Sequence, residues 1–366
     1  MRKELQYLIL LLILFASCEE KYTPEIDTAD GQLVVDAKVT NNPAKNFVHL
    51  TQTRNYNDNV PLLAVSGAKV ELIDKKNVKI QSVETSSGYY VFNSVPVSGN
   101  SYFIRIGIKS DIYESAEVTM PPIPTVTNFY SEDTVKRVYV TNGDGVPQAT
   151  DKRGREIYVD MPVTSSLSYY RLDVSSILEW TWDSIPNSLS TIPSAYGWYT
   201  YKASDNFNIA GPVNFSVTTK IMRHPLLMVS YNPKDYLYTD SLVAKGWILI
   251  IDQFGTSKES YDYHDKLNSQ FSAVGSLFDP IQNQVFGNVI CKSDPSKIVY
   301  GYFDLNSYQQ LRYYFEPNIP PGLTTLRQIL RYPTLPTSNG IMRSQPIKGP
   351  PSEIPPPLPP PVWWEK

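Results

Sequence analysis

Trp247-Ile248-Leu249-Ile250-Ile251-Asp252-Gln253-Phe254 is the most apolar strand-like run beyond the N-terminal leader. Its β-branched content and near-continuous apolarity read as a central strand buried on both faces. Directly after it, Thr256-Ser257-Lys258-Glu259 reads as a capping box. The Thr256 hydroxyl would accept from the third amide while Glu259 reaches back. Tyr263, Leu267, Phe271 and Val274 then recur at helical spacing, and Gly275 stands where a left-handed helix end is wanted. One helix over about 257–274 is therefore expected in a chain that otherwise reads as β.

Upstream, short alternating segments dominate. Gln32 to Val39, Phe47 to Thr53, Gly67 to Ile73, Gly88 to Phe92, Tyr102 to Ile106 and Tyr113 to Val118 are separated by turn signals such as Asp74-Lys75-Lys76-Asn77. That spacing over residues 31–120 predicts an immunoglobulin-like or prealbumin-like sandwich. Pro121-Pro122-Ile123-Pro124 makes 121–125 a stiff hinge. Residues 126–344 then read as a larger β-rich domain that contains the helix. Within it Arg155 to Met161, Tyr169 to Val174, Glu179 to Trp182, Asn214 to Thr219, Ile298 to Asp304 and others alternate like strands. Residues 345–366 form a Pro-rich, extended tail.

The first residues set the location. Arg2 and Lys3 precede an apolar run from Leu5 to Ala16, which ends at Ala16-Ser17-Cys18. A charged start, an apolar core and small residues before a break are the layout of a signal peptide. The run is short of the roughly 20 residues a spanning helix needs. A cysteine after the small pair makes residues 1–17 look like a bacterial lipoprotein signal, with Cys18 acylated. Residues 18–30 then form a polar tether. Phe15 departs from the aliphatic residue usual three places before that cysteine.

Composition limits the rest. Charged residues are 19%, aromatics 12%, with 26 Tyr and 30 Pro, a balance that favours β structure and turns. A net charge of −3 gives no case for nucleic acid. With Cys18 lipidated, Cys291 has no disulfide partner and reads as a small buried hydrophobe. His49, His224 and His264 are far apart in sequence and fit no zinc pattern, so neither metal nor other cofactor is expected. His264, between Asp262 and Asp265 on the helix, reads as part of a solvated polar face. Asn142-Gly143-Asp144-Gly145 lacks the downstream Glu of a calcium loop and reads as a β-turn. Nothing marks a catalytic group, so the chain reads as a non-enzyme. Trp198 and Tyr199 are candidate aromatics for a ligand or partner, whereas Trp180 and Trp182 read as a core strand.

Tyr261-Asp262-Tyr263-His264, Gly275 to Pro280, Gly287-Asn288-Val289 and Gly301-Tyr302-Phe303 resemble a Bacteroidetes lipoprotein family catalogued as domain of unknown function 4249. Leu33-Val34-Val35, Gly67 to Val70, Gly88-Tyr89-Tyr90 and Tyr113 to Ala116 follow in the family's order. The tail departs, because Pro361-Val362-Trp363-Trp364 lacks the cysteines usual there. The resemblance implies no chemistry and no catalytic residue. It implies a lipid-anchored protein of the outer membrane, facing outward, accessory to a TonB-dependent transporter. A stand-alone glycan- or matrix-binding adhesin is the alternative. Glu19-Glu20 resembles the acidic export signal of such lipoproteins. Asp27-Thr28-Ala29, Asp133-Thr134-Val135, Asp183-Ser184-Ile185 and Asp240-Ser241-Leu242 resemble an O-glycosylation signal of the same bacteria. Thr28, Thr134, Ser184 and Ser241 are thus candidate glycan acceptors, against the plainer reading of turn starts.

Overall fold

The computed structural model describes residues 31–54, 61–141, 143–182, 195–202, 208–212, 219–230, 242–272, 284–315, 324–325, 327–328 and 340–343. Strands β1 Leu33–Thr40, β2 Phe47–Gln52, β3 Leu63–Ala64, β4 Lys69–Asp74, β5 Lys79–Ser86, β6 Tyr89–Phe92, β7 Ser101–Ile108, β8 Asp111–Ser115 and β9 Val118–Thr119 come first. β10 Asn128–Thr141, β11 Pro147–Pro162, β12 Tyr169–Trp182, β13 Ala195–Lys202, β14 Ile209–Ala210, β15 Lys220–Ser230 and β16 Leu242–Thr256 follow, then helix α1 Lys258–Ser272. β17 Val289–Cys291, β18 Val299–Phe315, β19 Thr324–Thr325, β20 Arg327–Gln328 and β21 Gly340–Arg343 complete the order. The protein is mainly β with one α-helix among the described residues, as expected. The topology does not carry the finer immunoglobulin-like or prealbumin-like assignment.

The 17-residue β18 organises the fold. Its first half runs parallel to β1, with Val35 opposite Gly301 and Thr40 opposite Asn306. From Ser307 it runs antiparallel to β16, with Gly255 opposite Ser307. β1 also pairs with β2, and β16 with β12. One sheet therefore runs through β2, β1, β18, β16 and β12. The same sheet curls on through β6 and β5 to β4, β7, β8 and β17, and closes a first core around Val35, Leu50, Leu72, Ile104 and Phe303. A second sheet, β15–β11–β10–β19, closes another around Ile157, Met161, Leu172, Leu249 and Leu311. The chain leaves the first core near Pro121 and re-enters it at Val289, far beyond the expected hinge at 121–125. That hinge is tied to the centre of β18, because the Ser307 hydroxyl donates to the Pro122 carbonyl at 2.7 Å.

Phe303 and Leu305 fill the first core, Leu311 and Tyr313 the second, all at alternate positions of one strand. Alternate side chains share a face, so both cores lie on one side of the shared sheet. Tyr302, Asp304 and Tyr308 occupy the other side. The edges of β18 that lack a strand are closed by side-chain amides. Asn288 accepts from the Phe303 amide at 2.8 Å and donates to its carbonyl at 2.9 Å. Asn41 does the same for Tyr308, at 2.6 and 3.0 Å. Each asparagine thus stands in for a strand residue and leaves no backbone group unpaired there.

β16 is central, as read from its apolarity, with Ile248 and Leu249 both buried although they point to opposite faces. Two details of the helix differ from expectation. Its N-cap is Ser257, whose hydroxyl accepts from the Ser260 amide at 3.2 Å, whereas Thr256 closes β16 with its hydroxyl buried and without a hydrogen bond. The expected cap thus sits one residue too early, because the strand keeps Thr256 in extended backbone. The buried face is also not the apolar stripe. Ser260 and His264 are buried, while Phe271 is 75% exposed; Val274 and Gly275 lie outside the described residues. Ser257→Ala should lower stability by about 1 kcal/mol through loss of the cap. Thr256→Val should be neutral or stabilising, since it removes an unpartnered buried hydroxyl. Chemical denaturation of the two variants checks this, and the opposite order would restore Thr256 as the cap.

Candidate functional site

On the side of the shared sheet away from both cores, α1 covers part of the surface and leaves a cleft of about 460 Å³. β1 contributes Asp36 and Lys38, β2 Phe47, β12 Arg171, α1 Tyr263, His264, Leu267 and Phe271, and β18 Tyr302 and Asp304. The pleat explains the set. Val35, Ala37 and Val39 fill the first core, so Asp36 and Lys38 are turned to the other face.

Asp304 fixes the helix to the sheet. It is 5% exposed and accepts from the Ser260 hydroxyl on one oxygen and from His264 Nε2, at 2.8 Å, on the other. Burial raises its carboxyl pKa, but the hydrogen bond and charge of His264 and the Ser260 hydroxyl outweigh burial and hold it below the usual range. Tyr263 stacks on Tyr302 with centroids 4.5 Å apart. Burial, reinforced by Asp304, pushes the Tyr263 phenol up to about 12 and also raises that of Tyr302.

The charges deeper in the cleft are paired. Lys38 Nζ lies 3.8 Å and Arg171 Nε 3.3 Å from the Asp173 carboxylate. Lys38 also sits over the Phe254 ring at 4.7 Å, and burial lowers its pKa. Beside it, Asp252 takes Lys45, the Tyr308 hydroxyl at 2.8 Å and Gln310 at 2.9 Å. Asp36 is different. It is exposed at the mouth, and its carboxylate has no hydrogen bond or ion pair with any described residue. The surrounding walls, and then Asp304, raise its pKa.

Most candidates read from the sequence lie elsewhere. Cys18, Thr28, Ser184 and Ser241 fall outside the described residues. Trp198 and Tyr199 are on β13, in register with Glu179 and Leu178 of β12. Thr134 is half-buried within β10, in register with Gly154. Cys291 is buried in β17 as expected. Gly143 to Gly145 turn the β10–β11 hairpin. The three histidines stay apart on β2, β15 and α1. His224, bonded to Asn208 at 2.6 Å, has its pKa lowered to about 4 by burial. Among the described residues no group of three or more His, Cys, Asp or Glu side chains is placed to hold a metal, and no helix is long and apolar enough to cross a membrane.

Asp304 and Asp36 escaped the sequence reading, and the expectation of a solvated His264 is corrected. A polar side chain buried against a carboxylate 40 positions away leaves no apolar period. The signal that marks the place is the pair of segments Tyr261 to His264 and Gly301 to Phe303. They meet across the cleft as the stacked Tyr263 and Tyr302.

Fold and cleft define a mainly β protein in which a large curled sheet and a four-stranded sheet enclose two cores, with a helix-covered cleft on the curled sheet's free face. Over residues 19–312 the chain matches the family described as Domain of unknown function (DUF4249), and it belongs to that family. No curated protein matches it.

Proposed function

We propose that the chain is a lipid-anchored, non-catalytic binding protein of the outer membrane, facing outward and accessory to a TonB-dependent transporter. The cleft between α1 and the shared sheet carries the binding part of this reading. It falls in the size range of small-molecule sites and combines aromatic walls with a few placed polar groups. The Ser260–Asp304–His264 cluster supports a binding role over hydrolysis. Ser260 and His264 both turn to the same Asp304 carboxylate, so His264 does not stand on the serine hydroxyl as the base of a serine nucleophile would. The leader ending at Cys18 supports the anchor, and the family resemblance supports the transporter partner.

Cys18→Ala should abolish palmitate labelling and leave the leader uncleaved, since stable anchoring needs the acyl chains on that thiol. Mild detergent extraction of the native protein should recover a transporter in stoichiometric amount. Unchanged labelling would sink the anchor. Glycan binding by the chain without any co-purifying transporter would replace this reading with the adhesin.

A further inference from the structure

We propose that the cleft binds an organic cation, an ammonium group on an aromatic or apolar body, with Asp36 as its counter-ion. The proposal rests on the reading of the cleft as a binding site and names its ligand class. The first argument is the pairing of charge. Lys38 and Arg171 share Asp173, and Asp304 is occupied by Ser260 and His264. Asp36 alone among the charged groups lining the cleft keeps a carboxylate without a hydrogen-bonded or ionic partner among the described residues. The two cations are not available to an anion. Their side chains are only 15% and 21% exposed, and an anionic ligand would have to displace Asp173.

The second argument is what stands beside Asp36. In the sheet it lies between His49 of β2 and Tyr302 of β18. On the β2 side Phe47 stacks on Tyr89, with centroids 5.6 Å apart. On the β18 side Tyr302 stacks on Tyr263. A carboxylate flanked by two aromatic pairs is matched by a cation, which the ring faces also attract. An anion would meet the charge of Asp36. Lys38, His49 and Arg171 act on that charge only at a distance, and a neutral ligand would cover the carboxylate without giving it a direct partner. Phe271, exposed at the rim, offers apolar cover for the body that carries the ammonium.

The test is calorimetric titration of the full chain, extracted in detergent, with phenethylammonium, 2-phenylethanol and 3-phenylpropionate at millimolar concentration. Phenethylammonium should bind about tenfold more tightly than either of the others, the size of one desolvated ion–aromatic contact. Asp36→Asn should erase that preference and Asp36→Glu should keep it. Asp36→Asn should melt no lower than the parent at neutral pH, because it removes a carboxylate whose folded-state pKa is raised, so folding is not the confound. Equal binding of the alcohol or the carboxylate, or a preference that survives Asp36→Asn, would overturn the cation and leave the cleft a binding site. No binding of any of the three would overturn both.

Discussion

Gly301→Ala is expected to destabilise the protein by about 4 kcal/mol or more, the range reserved for changes the backbone cannot absorb. Gly301 has φ +85°, and a Cβ there would stand 2.0 Å from the Val35 carbonyl oxygen and 2.7 Å from its carbon. Val35 is its register partner in the parallel β1–β18 pair. Gly287 crowds the same spot, since its own Cβ would lie 1.5 Å from the Gly301 carbonyl oxygen. Three backbone segments thus meet with no room for a methyl, and the obstacle is backbone rather than a rotatable side chain. Relief requires β1 and β18 to separate, which opens the first core at Val35 and Phe303 and unseats Tyr302 and Asp304 from the cleft. For a chain of this size the loss corresponds to roughly 5 °C or more in Tm. Gly143→Ala, at a hairpin turn with nothing within 4 Å of the added carbon, is the matched control. A Gly301→Ala protein that melts within a degree or two of that control would show that the strands tolerate the methyl.

The same strand pair shows what the sequence disclosed and what it withheld. Alternation marked β1 and the first half of β18 as strands, and unbroken apolarity marked β16 as central. Those signals are local, because each records only which faces of a segment meet other atoms. That β1 and β18 are parallel neighbours, about 266 positions apart, is a long-range fact that no local period encodes. The cap error has a similar cause. Thr256 and Ser257 are both good capping residues, and the choice between them was made by where β16 releases the backbone. The cleft was least legible. Its groups come from β1, β2, β12, α1 and β18, and the chemistry appears only once the pleat sets Asp36 and Asp304 on one face. The helix stripe misled for a physical reason. Apolar periodicity assumes that the buried face is apolar, yet α1 buries Ser260 and His264 against a carboxylate and leaves Phe271 at the rim.

Asp304→Ala should lower stability at neutral pH by about 3–5 kcal/mol, the cost of leaving buried polar partners without their counterpart. Ser260 and His264 are both buried, and both turn to Asp304 from successive turns of α1. Their loss removes the polar anchor that holds the helix over the cleft, so any ligand binding should go with it. Asp304→Asn should be milder, because one amide oxygen still accepts, although its NH₂ group then faces a donor. The pH dependence separates this anchor from simple packing. Asp304 has its folded-state pKa lowered below the unfolded value of roughly 3.9, so its contribution is complete above that pH and is lost as pH falls through the folded value. The gap in denaturation midpoint between parent and Asp304→Ala should therefore be wide at pH 7 and shrink steadily below about pH 4. Asp36 has the opposite sign. Its raised folded-state pKa means that ionisation opposes folding, so Asp36→Asn should gain stability relative to the parent as pH rises through that value. Urea denaturation of parent, Asp304→Ala and Asp36→Asn between about pH 2 and pH 8 measures both slopes. A gap for Asp304→Ala that stays constant across that range would mean the carboxylate acts by shape alone and the ionic anchor of α1 is wrong.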